Sequence, residues 1–240
     1  MGKIVLYDLP SKKGVAWSFN PWRTRMILNF KGLDYETQWV EYPDIAPTMK
    51  AFGIPPNKEG TEYTIPVLKT EKGEHIMDSK KIAEHLESTY PPGDYASIKL
   101  DNPDQQRVVD ALSKVAEQLT PIVMPLIPRN VLNPPSAEYF RETRAQRFGM
   151  SLDELESKEG GEKAWSNAKE PLDNLAKILR ETEGPYFLGG KSSYADFYVV
   201  TYLHFARVAD KDFYERLVKP YPEFRNLYTV HMAYLDRASE

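Results

Sequence analysis

The sequence predicts an α/β unit over residues 1–92 followed by an all-helical unit over residues 98–240. Three observations carry that expectation. Strand-like and helix-like patterns alternate as far as Tyr90, and only helical periodicity follows. Between the two regimes stands Tyr90-Pro91-Pro92-Gly93-Asp94, a cluster that no helix or strand accommodates in its interior.

Each element has its own signal. Lys3-Ile4-Val5-Leu6-Tyr7-Asp8 reads as a buried strand. A helix starts at Asn20 or Pro21, because Asn20 is a strong N-cap, Pro21 suits the first helical position, and Trp22, Met26, Ile27 and Phe30 recur at helical spacing. Residues 35–42 form a second strand through the β-prone Thr37, Trp39 and Val40, and a short helical piece follows around Met49. After a polar, proline-rich loop, residues 64–68 and 75–78 make a hairpin around Glu71-Lys72-Gly73-Glu74. Ser79 caps a helix with Ile82, Ala83 and Leu86 on its apolar face. Downstream, helical patterns cover residues 101–123, 137–147, 164–182, 193–209 and 224–238.

Composition excludes several classes of function. Net charge is −4 with both signs mixed along the chain, so nucleic acid is not an expected partner. Arg141, Arg144 and Arg147, interleaved with Glu142, read as a solvated helix face. The longest apolar stretch, residues 197–206, is too short to span a bilayer and contains His204. None of the four histidines forms an i, i+4 metal pair or adjoins a triad, so no metal is expected. There is no cysteine, hence any sulfur chemistry must use a ligand's sulfur. The chain enters a strand directly, and Leu6 stands where a myristoylation motif requires Ser or Thr; a cytoplasmic protein is the expectation.

Three local features point to a binding site. Ser18 precedes the first helix and places a hydroxyl beside the positive end of that helix, an address suited to an anion. Pro66, within Ile65-Pro66-Val67, marks either an edge strand or a cis bond. Asp78-Ser79 supplies a carboxylate and a hydroxyl at a strand-to-helix junction, which serves either as a simple cap or as a grip on the ammonium and carboxylate of an amino acid.

Taken in order, these features resemble the glutathione transferases over the full length of the chain: a thioredoxin-like N-terminal domain, then a helical domain in which Ser193 and Asp196 match the family's capping-box motif. Ser18-Phe19-Asn20-Pro21-Trp22-Arg23-Thr24-Arg25 resembles the serine pattern of zeta-like members, and the whole sequence is most similar to the fungal Fua class, which is related to bacterial β-aryl etherases. The resemblance implies glutathione as co-substrate. It makes Ser18 the catalytic hydroxyl, with Phe19 and Asn20 beside it, Ile65 and Pro66 on the cysteinyl backbone, and Asp78 and Ser79 on the γ-glutamyl end. Asp78 stands where many members have the longer Glu. A homodimer is implied too.

An aromatic second substrate is expected between the Ser18 loop and the run Pro121 to Arg129, with Trp22, Met124, Ile127 and Arg129 as its contacts; core packing is the competing role for these four. The expected reaction is thiolate attack on an aromatic electrophile or an activated ether. The rival is a non-catalytic carrier of aromatic or polyphenolic compounds.

Overall fold

The computed structural model describes residues 2–237. Four strands form one sheet in the order β2, β1, β3, β4: β1 (Ile4–Asp8), β2 (Tyr35–Trp39), β3 (Val67–Lys69) and β4 (His75–Met77). β1 runs parallel to β2, with Leu6 opposite Thr37, and antiparallel to β3, with Leu6 opposite Leu68. The parallel pair needs a crossover, and α1 (Phe19–Phe30) supplies it. A 3-10 turn (Tyr42–Asp44) and α2 (Ile45–Ala51) lead to the hairpin, and α3 (Ser79–Thr89) closes this half.

Two expectations about this half change. α1 begins one residue earlier than Asn20, with Ser18 as its N-cap, because Ser18 C=O already accepts the Trp22 N–H at 3.1 Å. Pro21 then sits inside the first turn, where its missing N–H has no partner to lose. Nor is Pro66 an edge-strand residue. The Ile65–Pro66 peptide is cis, Pro66 lies just ahead of β3, and β3 is flanked on both sides.

The second half is helical: α4 (Gln105–Asn130), α5 (Pro134–Phe148), α6 (Leu152–Glu159), α7 (Gly161–Arg180), α8 (Tyr194–Ala209), α9 (Lys211–Val218) and α10 (Pro222–Val230). α4 extends past the expected end at residue 123, through Pro121, Pro125 and Pro128. Each proline frees the carbonyl four residues earlier, on Glu117, Pro121 and Met124. All three of those residues are exposed or half-buried and line an open cavity. α6 and α9 were not expected from periodicity. The last helix stops at Val230 and continues as a 3-10 turn, Met232–Tyr234; residue 238, the expected end, lies outside the described residues.

The two halves are joined through buried contacts. Trp22 of α1, fully buried, meets the His204 ring of α8 edge-on at 4.6 Å, and the Tyr194 hydroxyl donates to the Ser79 carbonyl at 3.2 Å. Lys31 donates to the carbonyls of Tyr90 and Ala96 at 2.8 and 2.9 Å and pairs with Glu87, which pins the connecting segment. Under α8, Asp196 accepts from Ser193 N–H (2.7 Å), Ser193 Oγ (2.6 Å) and Phe187 N–H (2.8 Å), so the expected Ser193–Asp196 box is present. Among the described residues no helix is long and apolar enough to cross a membrane, and no group of three His, Asp or Glu is placed to hold a metal.

Candidate active site

The loop after β1 returns the chain to the sheet's end at Ser18, whose side chain is almost buried. Its backbone is extended (φ −74°, ψ 128°) and its hydroxyl makes no capping bond to the helix it precedes. Of the first turn's N–H groups, Pro21 has none and Trp22 is paired with Ser18 C=O, which leaves Phe19 and Asn20 N–H beside the hydroxyl. A hydroxyl and two N–H donors thus converge at a helix start, an arrangement that stabilises negative charge.

Beneath this point the second arginine of the run, Arg25, is fully buried and pairs with Asp8 of β1 at 2.8 Å. Burial raises the Asp8 pKa, and Arg25 opposes that rise. Arg25 is held between the rings of Trp22, Tyr35 and Trp39, at 5.5 to 5.7 Å. The pair fixes the end of β1 against α1, and with it the Ser18 loop.

Ser18 and Asn20 open into a cavity of about 440 Å³, also lined by Ile65, Tyr63, Tyr42, Tyr139 and Arg144. Ile65 lines this cavity, and neither its N–H nor its C=O is engaged by another described residue. Pro66 C=O accepts the Asp78 N–H at 3.4 Å, linking this wall to the start of α3. Asp78, not Ser79, is the N-cap of that helix: its Oδ1 accepts from Lys80 and Lys81 N–H at 2.9 and 3.1 Å. Its φ of 90° lies in the region that favours glycine, so the carboxylate is held in a strained conformation at the junction. Ser79 is buried behind it.

The outer wall comes from the helical half. Glu41 accepts from Asn133 at 2.7 Å and from the Ser136 hydroxyl, which in turn accepts the Tyr42 N–H at 2.9 Å. These bonds bind the 3-10 turn to α5 and stand the Tyr42 and Tyr139 rings nearly parallel, 17° apart with centroids at 6.3 Å. Burial pushes the Tyr42 phenol up to about 12, so it stays protonated at neutral pH. Arg144, expected on a solvated face, is half-buried over the Phe140 ring at 4.3 Å and lines the cavity. Its neighbours Arg141 and Arg147 are the exposed ones.

The residues expected to hold a second substrate are not brought together. Trp22 is fully buried at the interface between the halves and Ile127 is 1% exposed in the helical core, so neither reaches a ligand. Arg129 pairs with Asp153 and Glu156 at 2.7 and 2.5 Å, in a separate crevice. Met124 lines a second cavity of about 790 Å³ on the other side of the α1 start, together with Phe19, Arg23, Tyr198 and Tyr202. There the Arg23 guanidinium lies 3.8 Å from the centre of the Tyr198 ring; its Nε and the Tyr202 hydroxyl are buried without a hydrogen-bond partner among the described residues. Burial lowers the Arg23 pKa.

Comparison with known proteins identifies the family to which this fold belongs. A family model described as glutathione S-transferase, N-terminal domain, matches residues 17–89, and one described as glutathione S-transferase, C-terminal domain, matches residues 105–216. The chain is 32% identical over 245 residues to the glutathione S-transferase-like protein ustS of Aspergillus flavus, covering 94% of this chain and 87% of that protein. Among solved structures, glutathione transferase GSTFuA3 of Phanerochaete chrysosporium superposes with a TM-score of 0.86 at 29% identity, over 98% of both chains. The glutathione S-transferase CsGST63524 of Ceriporiopsis subvermispora, solved in complex with glutathione, gives 0.82 at 31% identity, over 97% of this chain and 98% of that one. With its unspent serine hydroxyl at the α1 start, the Ile65–Pro66 cis bond and the Asp78 junction carried on this fold, the chain belongs to the glutathione transferase superfamily and is similar within it to the fungal Fua class.

Proposed function

We propose that the protein activates the thiolate of glutathione with the Ser18 hydroxyl and directs it at an aromatic electrophile or an activated aryl ether. The observation that carries this reading is the Ser18 hydroxyl, free of any capping bond, on a residue that lines the same cavity as Ile65. Glutathione lies across this wall. Ile65 N–H and C=O pair with the cysteinyl backbone as an added strand would, Asp78 takes the γ-glutamyl ammonium, and Ser79 takes its carboxylate.

A thiol with a pKa of about 8.5 is mostly protonated at neutral pH. Lowering that value by about two units needs roughly 2.7 kcal/mol of preference for the thiolate. A charge-assisted hydrogen bond from Ser18 supplies ~1.5–3 kcal/mol, and the Phe19 and Asn20 N–H groups add the helix-end contribution. Ser18 stays protonated throughout and acts as a donor. In the attack, a sulfur–carbon bond forms as the carbon–halogen or carbon–oxygen bond breaks, and the leaving group departs with the electron pair. Replacing Ser18 with Ala tests this: conjugation rates measured against pH lose their low-pH activity if Ser18 holds the thiolate, and an unchanged profile overturns the assignment.

The second cavity favours a carrier function beside catalysis. Its apolar α4 face, with Phe19, Tyr198 and Tyr202, offers an aromatic guest a surface distinct from the Ser18 cavity. Titration of a fluorescent aromatic reporter separates the two roles: binding that survives saturation of the glutathione site, with no turnover of any electrophile tried, makes carriage the main role. We also retain from the family resemblance a homodimer, which light scattering on the purified protein tests.

A further inference from the structure

We propose that Arg144 makes the Ser18 cavity selective for aromatic electrophiles that carry a carboxylate, an inference that rests on the reading of that cavity as the place of thiolate attack. Arg144 sits on α5, half-buried, with its guanidinium 4.3 Å from the Phe140 ring centre and 5.5 Å from that of Tyr42. Its one hydrogen bond to another described residue runs to the Thr143 hydroxyl at 3.0 Å, and no described carboxylate lies within ion-pair distance of it. The contrast with Arg107, Arg129, Arg180, Arg216 and Arg225 is informative, since each of those pairs with a Glu or Asp of the helical half. Glu41, next to the lining Tyr42, and Glu62, on the cavity lining, are otherwise placed. Glu41 is engaged by Asn133 and Ser136, and Glu62 lines the rim on an exposed segment without pairing to Arg144.

Arg144 therefore presents a planar set of donors to a cavity that the near-parallel Tyr42 and Tyr139 rings also line. Such a frame fits an aromatic ring with an acidic substituent: the rings take the apolar body, and the guanidinium takes a carboxylate through a fork of N–H groups. The glycyl carboxylate of glutathione is the other carboxylate that enters this region. With its γ-glutamyl end at Asp78, an extended glutathione paired to Ile65 points its glycyl end towards Tyr63, where Lys50 of α2 stands over the ring at 5.5 Å. That leaves Arg144, across the cavity on the helical half, to the second substrate.

The test uses two activated aryl chlorides that differ in charge, 4-chloro-3-nitrobenzoate and its methyl ester. In each, the glutathione sulfur bonds to the ring carbon bearing chlorine, chloride leaves with the electron pair, and the thiol proton passes to solvent. Loss of one charge-assisted contact in Arg144→Met is expected to raise KM for the benzoate about tenfold or more, while KM for the ester and for glutathione change by less than about twofold. Arg144→Lys should recover part of the loss. A rise in KM for glutathione with the benzoate unchanged would assign the arginine to the glycyl carboxylate and overturn the proposal. Equal losses on benzoate and ester would reduce Arg144 to a packing role and overturn it as well. Should the wild-type protein turn over neither compound, the catalytic reading fails separately, and calorimetric binding of the benzoate in the presence of S-methylglutathione decides: about tenfold tighter binding by wild type than by Arg144→Met upholds the selectivity, and equal affinity refutes it.

Discussion

Asp78 caps α3, and the glutathione-binding reading proposed above gives the same side chain a second role. Its Oδ1 caps α3 through Lys80 and Lys81, and the glutathione geometry proposed above asks its negative charge to meet an ammonium. Asn caps a helix as well as Asp does but carries no charge. Asp78→Asn is therefore expected to leave unfolding stability within about 0.5 kcal/mol of wild type while raising KM for glutathione about tenfold, as steady-state kinetics would show. A large loss of stability with KM unchanged would assign Asp78 to the cap alone. The local features at Ser18, Ile65 and Asp78 were legible in the sequence because each belongs to its own stretch of backbone: a helix start, a proline turn, a strand-to-helix junction. Arg144 was not. Its spacing with Arg141 and Arg147 describes a helix face, and only the docking of α5 against Tyr42 turns one of those three inward.

At the scale of elements, the α8 start is the point of greatest dependence. Asp196 is fully buried and satisfies the N–H groups of Ser193 and Phe187 and the Ser193 hydroxyl. Removing it leaves buried donors unpaired at about 1–3 kcal/mol each, so Asp196→Ala should cost more than about 3 kcal/mol in chemical denaturation and lower the yield of folded protein. A loss below about 1 kcal/mol would mean that water replaces the carboxylate. This box was legible from its spacing, and α6 carried the same kind of signal: Ser151 accepts from Glu154 N–H at 3.2 Å while the Glu154 carboxylate accepts from Ser151 N–H at 3.0 Å. α6 and α9 escaped notice because eight residues hold only two turns of periodicity. The prolines of α4 misled in the opposite direction. They mark interruptions of hydrogen bonding, yet the helix runs through them, and the residues whose carbonyls they free line an open cavity. That extension moves the run Pro121 to Arg129 away from Ser18 and hands the wall of the Ser18 cavity to α5.

Across the whole molecule, the position of Ser18 relative to α5 depends on the seam between the halves, and that seam contains a titrating group. His204 packs against Trp22, with its Nδ1 2.8 Å from the Tyr228 hydroxyl, and burial pushes its pKa down to about 4. Above pH ~6.5 the imidazole is neutral in both folded and unfolded chains. As pH falls from there towards 4, the unfolded chain takes up a proton that the folded one refuses, so stability falls through that window. Between pH 7 and pH 5 the expected loss is about 2 kcal/mol from His204, and His231, which burial also holds down, adds in the same direction. Denaturation of wild type and His204→Gln at the two pH values checks this; equal pH dependence in both would exclude His204 as the source. Seam, sheet and helix start together set the place where, as proposed above, a chain without cysteine holds a borrowed thiolate at Ser18. The most direct measurement is the pKa of glutathione bound to the protein, read from the ultraviolet absorbance of its thiolate as pH is raised. Wild type should give a value about two units below the free thiol's ~8.5, and Ser18→Ala should return it upward by at least about one unit. The same depressed value in both proteins would contradict the claim.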